Sequence, residues 1–503
     1  MNIVQRTVSS TIYNIAANVI GEVVGFIGTI ILARLLEPEV FGVMAFVSSV
    51  VLLSLSLPNF GLQGAFMRQT GGKAGVTEES LRVFFTLRLL FSLIWAVVMV
   101  AGVLLFAPAH TRLAFWIVIA CTFFMNQTMV ITTLLARRVQ FLRLAITQAV
   151  CDVATTILSI VLAWLGWGIW ALLFARVLLV IINVTFLFII RPVWKPRLGW
   201  SKELVRHYLS FGSKVFLANI LDSALDRVDD VYTGSMLHDR VMGFYDKAYG
   251  FATYPRALLV DPLRQVVVGT YAQLSDDRPR LSQTFSMVNE LVARVNFWMA
   301  AVLWLIAPEF IRLALGVKWM PIMQAFQLML VFTMFDPLKS MVGSVIVQCG
   351  APERVIRARV IQLVVMVIGL FALGPRWNIA GVALAVDIML IVGIVIFYIE
   401  ARRFVDYSLK RIFTVPTLAL VLGTLAALAA LKLPGVTSSD WISGAVKIAV
   451  VTLVYAAIVI IFERKRIPKL WKVLRQVFLR KKVEVESTDK DEQSNESKPG
   501  DAG

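Results

Sequence analysis

Residues 145–190, AITQAVCDVATTILSIVLAWLGWGIWALLFARVLLVIINVTFLFII, contain two apolar runs separated by a three-residue hinge, Gly166-Trp167-Gly168. Each run has about 20 mostly apolar residues, the length that a helix needs to cross the hydrocarbon core of a bilayer. A hinge this short makes the two helices antiparallel neighbours. The stretch therefore predicts a pair of membrane-spanning helices.

The same pattern recurs along the whole chain. Of its 503 residues, 58% are hydrophobic and 16% are charged, whereas soluble domains have about 45–50% apolar and about 25% charged residues. This composition argues against a soluble enzyme, a disordered chain and a fibrous repeat. We predict an all-α polytopic membrane protein with about fourteen transmembrane helices, at residues 11–35, 39–60, 83–106, 113–135, 145–165, 168–190, 209–235, 242–266, 286–308, 320–347, 355–374, 378–400, 412–433 and 441–462.

The basic residues alternate between the loops on the two sides of these helices. One set of alternate loops carries 31 of the 49 lysines and arginines, nine of them from Arg464 to Lys482, and the other set carries 7. Cytoplasmic loops collect Lys and Arg, so the split predicts that both termini are cytoplasmic. Topology then accounts for the formal net charge of +17, and no nucleic-acid partner is predicted.

An internal repeat divides the chain. LLEPEVFGVMAF at 35–46 aligns with MLHDRVMGFYDK at 236–247 at a constant offset of 201, which places Gly42 on Gly243 and Asn18 on Asn219. Internal repeats are common in secondary transporters, whose substrate sites lie at the repeat interface. We predict an N-terminal six-helix lobe (1–190), a cytoplasmic inter-lobe loop (191–207), a C-terminal six-helix lobe (208–400), two extra transmembrane helices (401–462), a basic amphipathic interfacial helix (463–482) and a disordered tail (483–503).

Two predicted spans carry polar stripes. Ionisable residues inside a span are costly and are functional-site candidates. In the seventh span, one face carries Asn219, Asp222, Asp226, Asp229 and Asp230, and Arg227 lies beside it. In the first span, Asn14, Asn18 and Glu22 recur four residues apart on one helical face. The stripes predict a central wet cavity flanked by these two helices. Buried ion pairs are the alternative interpretation.

Cations also lie within or near the spans. An anionic, phosphate-bearing substrate would need several of them, since Arg gives bidentate contacts and Lys a point charge. The best candidates for the cavity are Arg88, Lys214, Arg256 and Arg294, with Arg227 beside the acidic stripe. Structural roles for such cations remain the alternative. Possible ion pairs are Arg176 with Asp152, Arg294 with Glu290 and Lys339 with Asp336. The side chain of Lys447 could extend to the membrane surface instead.

Motifs for catalysis and for metal or cofactor binding are absent. GGK at 71–73 lacks the first glycine and the Ser/Thr of a phosphate-binding loop, and no GxSxG motif is present. His110, His207 and His238 lie in separate loops, and the three cysteines follow no disulfide or metal-ligand pattern. We therefore predict no catalytic residues, no metal site and no cofactor.

Three stretches resemble a known family: FIGTIILARLLEPEVFGVMAFVSSVVLLSLSLPNFGLQGAFMRQ near the N-terminus, the segment from Leu225 to Leu281, and LGVKWMPIMQAFQLM at 315–329. They are similar to the Wzx-type oligosaccharide flippases of the multidrug/oligosaccharidyl-lipid/polysaccharide (MOP) exporter superfamily, particularly the WzxC-like branch. Asp226 and Arg227 match the D-R pair of that family. Val228-Asp229-Asp230 replace the hydrophobic residues that usually follow the pair, which leaves the charge of the cavity open.

The resemblance implies a two-lobed fold of twelve or fourteen helices in the bacterial cytoplasmic (inner) membrane. It implies a transporter, not an enzyme, that moves an undecaprenyl-diphosphate-linked oligosaccharide to the outer leaflet, using an ion gradient or the membrane potential. The predicted partners are this lipid-linked oligosaccharide and membrane lipids, with polysaccharide polymerase or export machinery as a candidate protein partner. Alternating access would accompany such transport, with Glu22, Asp222 or Asp226 as candidate proton carriers.

Two alternative functions stay open. The acid-rich seventh span would also suit a cation-coupled multidrug or metabolite exporter of the same superfamily. A saccharide polymerase or ligase would need a large outward loop, whereas the longest outward loops of this chain have only about ten residues.

Overall fold

The computed structural model describes residues 21–68, 77–138, 140–190, 192–434 and 438–464, and all regular secondary structure within these ranges is helical. The predicted interfacial helix and tail, beyond residue 464, lie outside the described residues, as does the beginning of the first span.

The first part of the chain forms eight helices. They are α1 (21–35), α2 (Pro38–Ser54), α3 (Ser56–Asn59), α4 (Leu62–Arg68), α5 (Glu78–Phe106), α6 (Arg112–Arg137), α7 (Phe141–Trp164) and α8 (Ile169–Val184), the last continuing as a π-helical segment, Thr185–Ile190. The predicted hinge between the fifth and sixth spans joins α7 to α8. Gly166 and Gly168 both have positive φ there, 81° and 54°, which only glycine adopts readily.

The second part contains eight more helices. They are α9 (Lys202–Met236), α10 (Asp239–Pro255), α11 (Asp261–Gln273), α12 (Arg278–Phe310), α13 (Met323–Gln348), α14 (Pro352–Ala401), α15 (Leu409–Ala430) and α16 (Asp440–Glu463). A π-helical turn, Arg256–Val260, joins α10 to α11; a second, Ile311–Leu315, extends α12; and a 3-10 segment, Val317–Ile322, precedes α13. Helix α9 begins inside the predicted inter-lobe loop, since Glu203 in its first turn favours a helix start.

These helices match the fourteen predicted spans. Ten described helices are long and apolar enough to cross a membrane, and one of them, the 50-residue α14, is broken at Asn378 (φ 52°, ψ −133°) into two spans. The remaining three predicted spans correspond to α1, described from residue 21 only, and to α9 and the α10–α11 pair, which carry many charged residues. The predicted fold class is confirmed.

The two repeats meet at a reciprocal contact between α2 and α10. A Cβ added to Gly42 would overlap the backbone carbonyl of Asp239, and one added to Gly243 would overlap the carbonyl of Pro38. The two glycines are equivalent at the offset of 201, and so are Pro38 and Asp239. Glu39 and Arg240, the next equivalent pair, form an ion pair of 3.5 Å. Residues related by the offset of 201 therefore make reciprocal contacts between α2 and α10.

We expect Gly243→Ala to destabilise the protein, whereas Gly250→Ala on the same helix should not. A methyl group at residue 243 would force α2 and α10 apart, and overpacking costs about 1–3 kcal/mol. A Cβ at Gly250 meets no atom within 4 Å, and alanine favours a helix over glycine by about 1 kcal/mol. Thermal unfolding of both variants in detergent would show the difference; equal midpoints would contradict the close contact.

Candidate functional site

A cavity of about 710 Å³, the C-cavity, lies in the second repeat between α9, α13, α14 and the α10–α11 junction. Its charged lining residues are Asp222, Asp226, Arg256, Arg264, Asp336, Lys339 and Arg359. Val268, Gln348 and Val355 also line it, and they lie at the helix ends farthest from the α9–α10 turn. The cavity thus occupies one half of the bundle and contains charges that lipid could not solvate.

Most charges of the C-cavity are neutralised within it. Asp336 is buried and pairs with Arg256 and, at 3.1 Å, with Lys339. Asp222 of α9 pairs with Arg359 of α14. Asp226 also lines the cavity, and it forms no ion pair with any described residue, so it is the carboxylate left for water or for a bound cation.

A second cavity of about 460 Å³, the N-cavity, lies between α1, α2, α7 and α8 and is completed by Arg227 of α9 and by Asp246 and Lys247 of α10. Its wall is rich in hydroxyl groups, from Thr29, Ser48, Ser49, Thr155, Thr156 and Ser159. Hydroxyl groups both donate and accept hydrogen bonds. The wall can therefore bind water or a polar ligand within a bundle of membrane helices.

The N-cavity has a surplus of cations. Arg227 pairs with Asp230 at 3.3 Å and Lys247 with Asp246 at 2.8 Å. Arg176 has no carboxylate partner among the described residues; it donates a hydrogen bond to the Ser48 hydroxyl at 3.5 Å. The alternative pairing of Arg176 with Asp152 does not form in the structure; Asp152 accepts a hydrogen bond from Gln148 at 2.8 Å.

Helix α9 separates the two cavities. Its last two aspartates accept hydrogen bonds from the neighbouring helices α10 and α2. Asp226 lines the C-cavity and Arg227 the N-cavity, so the D-R pair reaches both. Asp229 is buried and accepts a hydrogen bond from Tyr245 of α10. Asp230 is buried and accepts one from Ser49 of α2 at 2.9 Å. The two carboxylates thus tie α9 to both sides of the repeat interface.

The structure places several predicted site residues away from both cavities. Arg88 is 1% exposed, between α3, α5 and α6. Arg294 is buried between α12 and α16, where it pairs with Glu463 and, at 3.5 Å, with Glu290. Neither therefore faces the polar space in this conformation. Lys447 does not snorkel but pairs with Glu309 in the interior at 2.6 Å.

The remaining predicted site residues either line neither cavity or lie outside the described residues. Asn219 lies on α9 and Glu22 is exposed on α1, and neither is among the side chains that line the two cavities. Asn18 and the side chain of Lys214 lie outside the described residues.

Sequence reasoning missed Arg264, Arg359 and Lys247. Both arginines lie near the ends of predicted spans, and the structure places them inside α11, which extends to Gln273, and α14, which begins at Pro352. Lys247 is part of GFYDKA, inside a stretch that resembles the family, and this motif was the available signal.

One end of the bundle is closed by an exchange of helix caps, which we name the latch. Lys318 donates to the carbonyls of Leu36 and Arg34, at 2.7 and 3.2 Å, and the buried Trp319 indole donates to the carbonyl of Ala33 at 2.8 Å. In return, the guanidinium of Arg34 donates hydrogen bonds to the main-chain carbonyls of Ala314, at 2.7 Å, and Leu313. Cations that meet the last carbonyls of a helix are favourable partners of its dipole. The latch thus joins α1 to the segment between α12 and α13.

Comparison with protein families places the chain. The family described as "Polysaccharide biosynthesis protein" matches residues 31–324, which is more than half of the sequence. The chain belongs to this family.

Curated relatives include three membrane or biosynthesis proteins. The chain is 22% identical over 75% of its length to a membrane protein in the cps region of Klebsiella pneumoniae, covering 78% of that protein. It is 25% identical over 58% to the succinoglycan biosynthesis transport protein ExoT of Rhizobium meliloti (strain 1021), covering 59% of it. It is 20% identical over 69% to the lipopolysaccharide biosynthesis protein WzxC of Escherichia coli (strain K12), covering 70% of it.

Solved structures show the same fold. The lipid II flippase MurJ, in an inward closed conformation, matches with a TM-score of 0.73 at 15% identity, covering 92% of this chain and all of MurJ. An inward-facing multidrug resistance MATE family transporter of the MOP superfamily matches with a TM-score of 0.57 at 17% identity, covering 80% of this chain and 98% of the transporter. The helical transporter fold that the resemblance implied is confirmed.

We expect Ser340→Cys, on α13, to react with a water-soluble maleimide much faster than Met341→Cys. Ser340 lines the C-cavity, whereas its neighbour Met341 is fully buried. Labelling rates would be measured in a background without Cys121, Cys151 and Cys349. Similar rates at the two positions would show that water does not reach the C-cavity.

Proposed function

We propose that the protein is a flippase that moves a polyprenyl-diphosphate-linked oligosaccharide across the cytoplasmic membrane by alternating access, for the biosynthesis of a surface polysaccharide. Family membership supports polysaccharide biosynthesis. The observation that carries the proposal is the pair of polar cavities on either side of α9, within helices that otherwise suit lipid.

The charge of the N-cavity favours an anionic substrate. Three cations line it; Asp230 and Asp246 neutralise Arg227 and Lys247, and the charge of Arg176 is left without a carboxylate among the described residues. Arginine binds phosphate oxygens through two parallel N–H bonds and lysine through a point charge, and the hydroxyl groups suit sugar. Arg176, which has no carboxylate partner among the described residues, is the residue we assign to the diphosphate. A drug exporter for organic cations would need the opposite balance of charge.

The latch supports alternating access. Under the predicted topology, with both termini cytoplasmic, the α1–α2 and α9–α10 turns are outward, so the latch closes the outward end. The residues that line the C-cavity lie in the other half of the bundle. Transport would require the latch to open while the cytoplasmic half closes.

Asp226 is the proton carrier that the contacts favour among the three proposed. Asp222 is already paired with Arg359, and Glu22 is not among the side chains that line either cavity. Asp226 lies in the C-cavity without an ion-pair partner among the described residues, so a proton could bind it without breaking a salt bridge. The proposed protein partner remains polysaccharide polymerase or export machinery.

We expect Arg176→Gln to lower polysaccharide export roughly ten- to hundredfold, since a hydrogen bond to a charged group contributes about 1.5–3 kcal/mol. Arg176→Lys should retain part of the activity. Arg280→Gln, which alters an arginine whose side chain is 77% exposed and outside both cavities, is the matched control. Export would be measured by complementing a deletion strain, with membrane levels of each variant checked. Normal export by Arg176→Gln would remove this assignment, and drug sensitivity of the deletion strain would favour the exporter.

We expect a cross-link between Glu39→Cys and Arg240→Cys to stop export reversibly. These residues pair across the repeat interface at the latch end, so joining them should prevent that end from opening. Each single variant, treated with the same oxidant in a cysteine-free background, is the control. Unchanged export after complete cross-linking would contradict alternating access through this end, and reductant should restore activity.

A further inference from the structure

Arg88 is a buried cation neutralised by no carboxylate of the described chain. Its side chain is 1% exposed, among Phe84, Leu87 and Val130, which are also buried. The guanidinium donates from Nε to the carbonyl of Asn126 at 2.6 Å and from Nη2 to the side-chain oxygens of Asn59 and Asn126, at 2.8 and 3.2 Å. All three acceptors are neutral, so they leave the positive charge uncompensated.

Four buried N–H groups around this charge have no acceptor among the described residues. Arginine has five N–H donors, and the two on Nη1 of Arg88 are unpaired and buried. The Nδ2 amide of Asn126 is also unpaired and buried. Its orientation is determined by the hydrogen bonds, because Oδ1 of Asn126 accepts from Arg88 and the opposite amide orientation would set two donors against each other. Ser92, one turn along α5 on the same face, contributes another buried hydroxyl without a described partner.

Such an arrangement binds anions. A buried donor without an acceptor costs about 1–3 kcal/mol, and an unpaired buried charge costs more. A water molecule would satisfy some of the N–H groups but would leave the charge. A halide ion accepts several N–H bonds and neutralises the guanidinium. Neither cavity described above includes Arg88 in its lining, so a monatomic ion suits this enclosed position better than a phosphate group does.

We propose that Arg88, Asn126 and Asn59 form a structural binding site for a chloride-sized anion within the first repeat, separate from the substrate cavities. The site lies beside the break between α3 and α4, where the second span ends. Asn59 is the last residue of α3, and it is followed by Phe60 and Gly61 at φ 33° and 65°, after which α4 begins. The ion would therefore stabilise this break, since Arg88 joins Asn59 to α5 and α6.

The test compares thermal unfolding of the purified full-length protein in sodium chloride and in sodium gluconate at equal ionic strength. Chloride should raise the unfolding midpoint of the wild type by a few degrees, saturably. Asn126→Asp places a carboxylate next to Arg88, so this variant should lose the chloride increment and be more stable than the wild type in gluconate. Arg294→Gln is the matched control: it removes a buried arginine that Glu463 already neutralises, so its midpoint should fall equally in both salts.

Bromide provides a direct measurement. Crystals of the wild type grown in sodium bromide should show an anomalous peak within hydrogen-bonding distance of Arg88 Nη1, and crystals of Asn126→Asp should not. Equal midpoints of the wild type in chloride and gluconate, or density at Arg88 without an anomalous signal, would overturn the proposal in favour of a buried water. If Asn126→Asp does not fold, the wild-type salt comparison and the bromide crystals still decide the question.

Discussion

A cation among membrane helices needs a carboxylate, carbonyl oxygens or water in place of its lost hydration, and the helix arrangement follows the ways in which this need is met. Glu463 and Glu309 neutralise Arg294 and Lys447, and both pairs fasten α16 to α12. Asp336 of α13 neutralises Arg256 at the α10–α11 junction, and Asp222 joins α9 to Arg359 of α14. Arg176 receives no such partner among the described residues and lines a cavity instead. Paired charges hold the helices together, and this unpaired one is available to a ligand.

The two contacts that close the repeat interface differ in how easily they can be undone. The α2–α10 contact at Gly42 and Gly243 is tight, because backbone lies against backbone there, with the exposed ion pair of Glu39 and Arg240 beside it. In the latch, side chains that are partly exposed around the buried Trp319 donate hydrogen bonds to main-chain carbonyls. Water can replace each of these hydrogen bonds, whose net contribution is about 0.5–1.5 kcal/mol. A closure of this kind is stable at rest and can still open, as an alternating-access cycle requires.

The periodic features of the sequence predicted the fold. Which charged residues belong to the site depends instead on contacts between helices that are distant in sequence. Apolar length and the glycine hinge at residues 166–168 were sufficient for the helices, and the offset of 201 identified two glycines that touch in the structure. Arg88, Arg176 and Arg294 look alike in sequence, as single arginines in apolar runs. They differ only in what other helices bring to them: amide and carbonyl oxygens from α3 and α6, a hydroxyl-lined space, and Glu463. Glu463 lies 169 residues from Arg294, and no local spacing could predict that contact.

Positions related by the offset of 201 differ in their chemistry. At the offset of 201, Gly21, Gly25 and Gly28 of α1 are equivalent to Asp222, Asp226 and Asp229 of α9. A Cβ at Gly21 would collide with Asp152 and one at Gly28 with Thr156, both on α7, so the glycines let α1 lie closely against α7 beside the N-cavity. The equivalent face of α9 presents carboxylates to the C-cavity and to α10. Arg176 beside the first repeat has no carboxylate partner among the described residues, and Asp226 in the second has no ion-pair partner among them. Under the proposed function this difference orients the substrate, with its diphosphate in the first repeat, and leaves the carboxylate of the second repeat to the coupling ion.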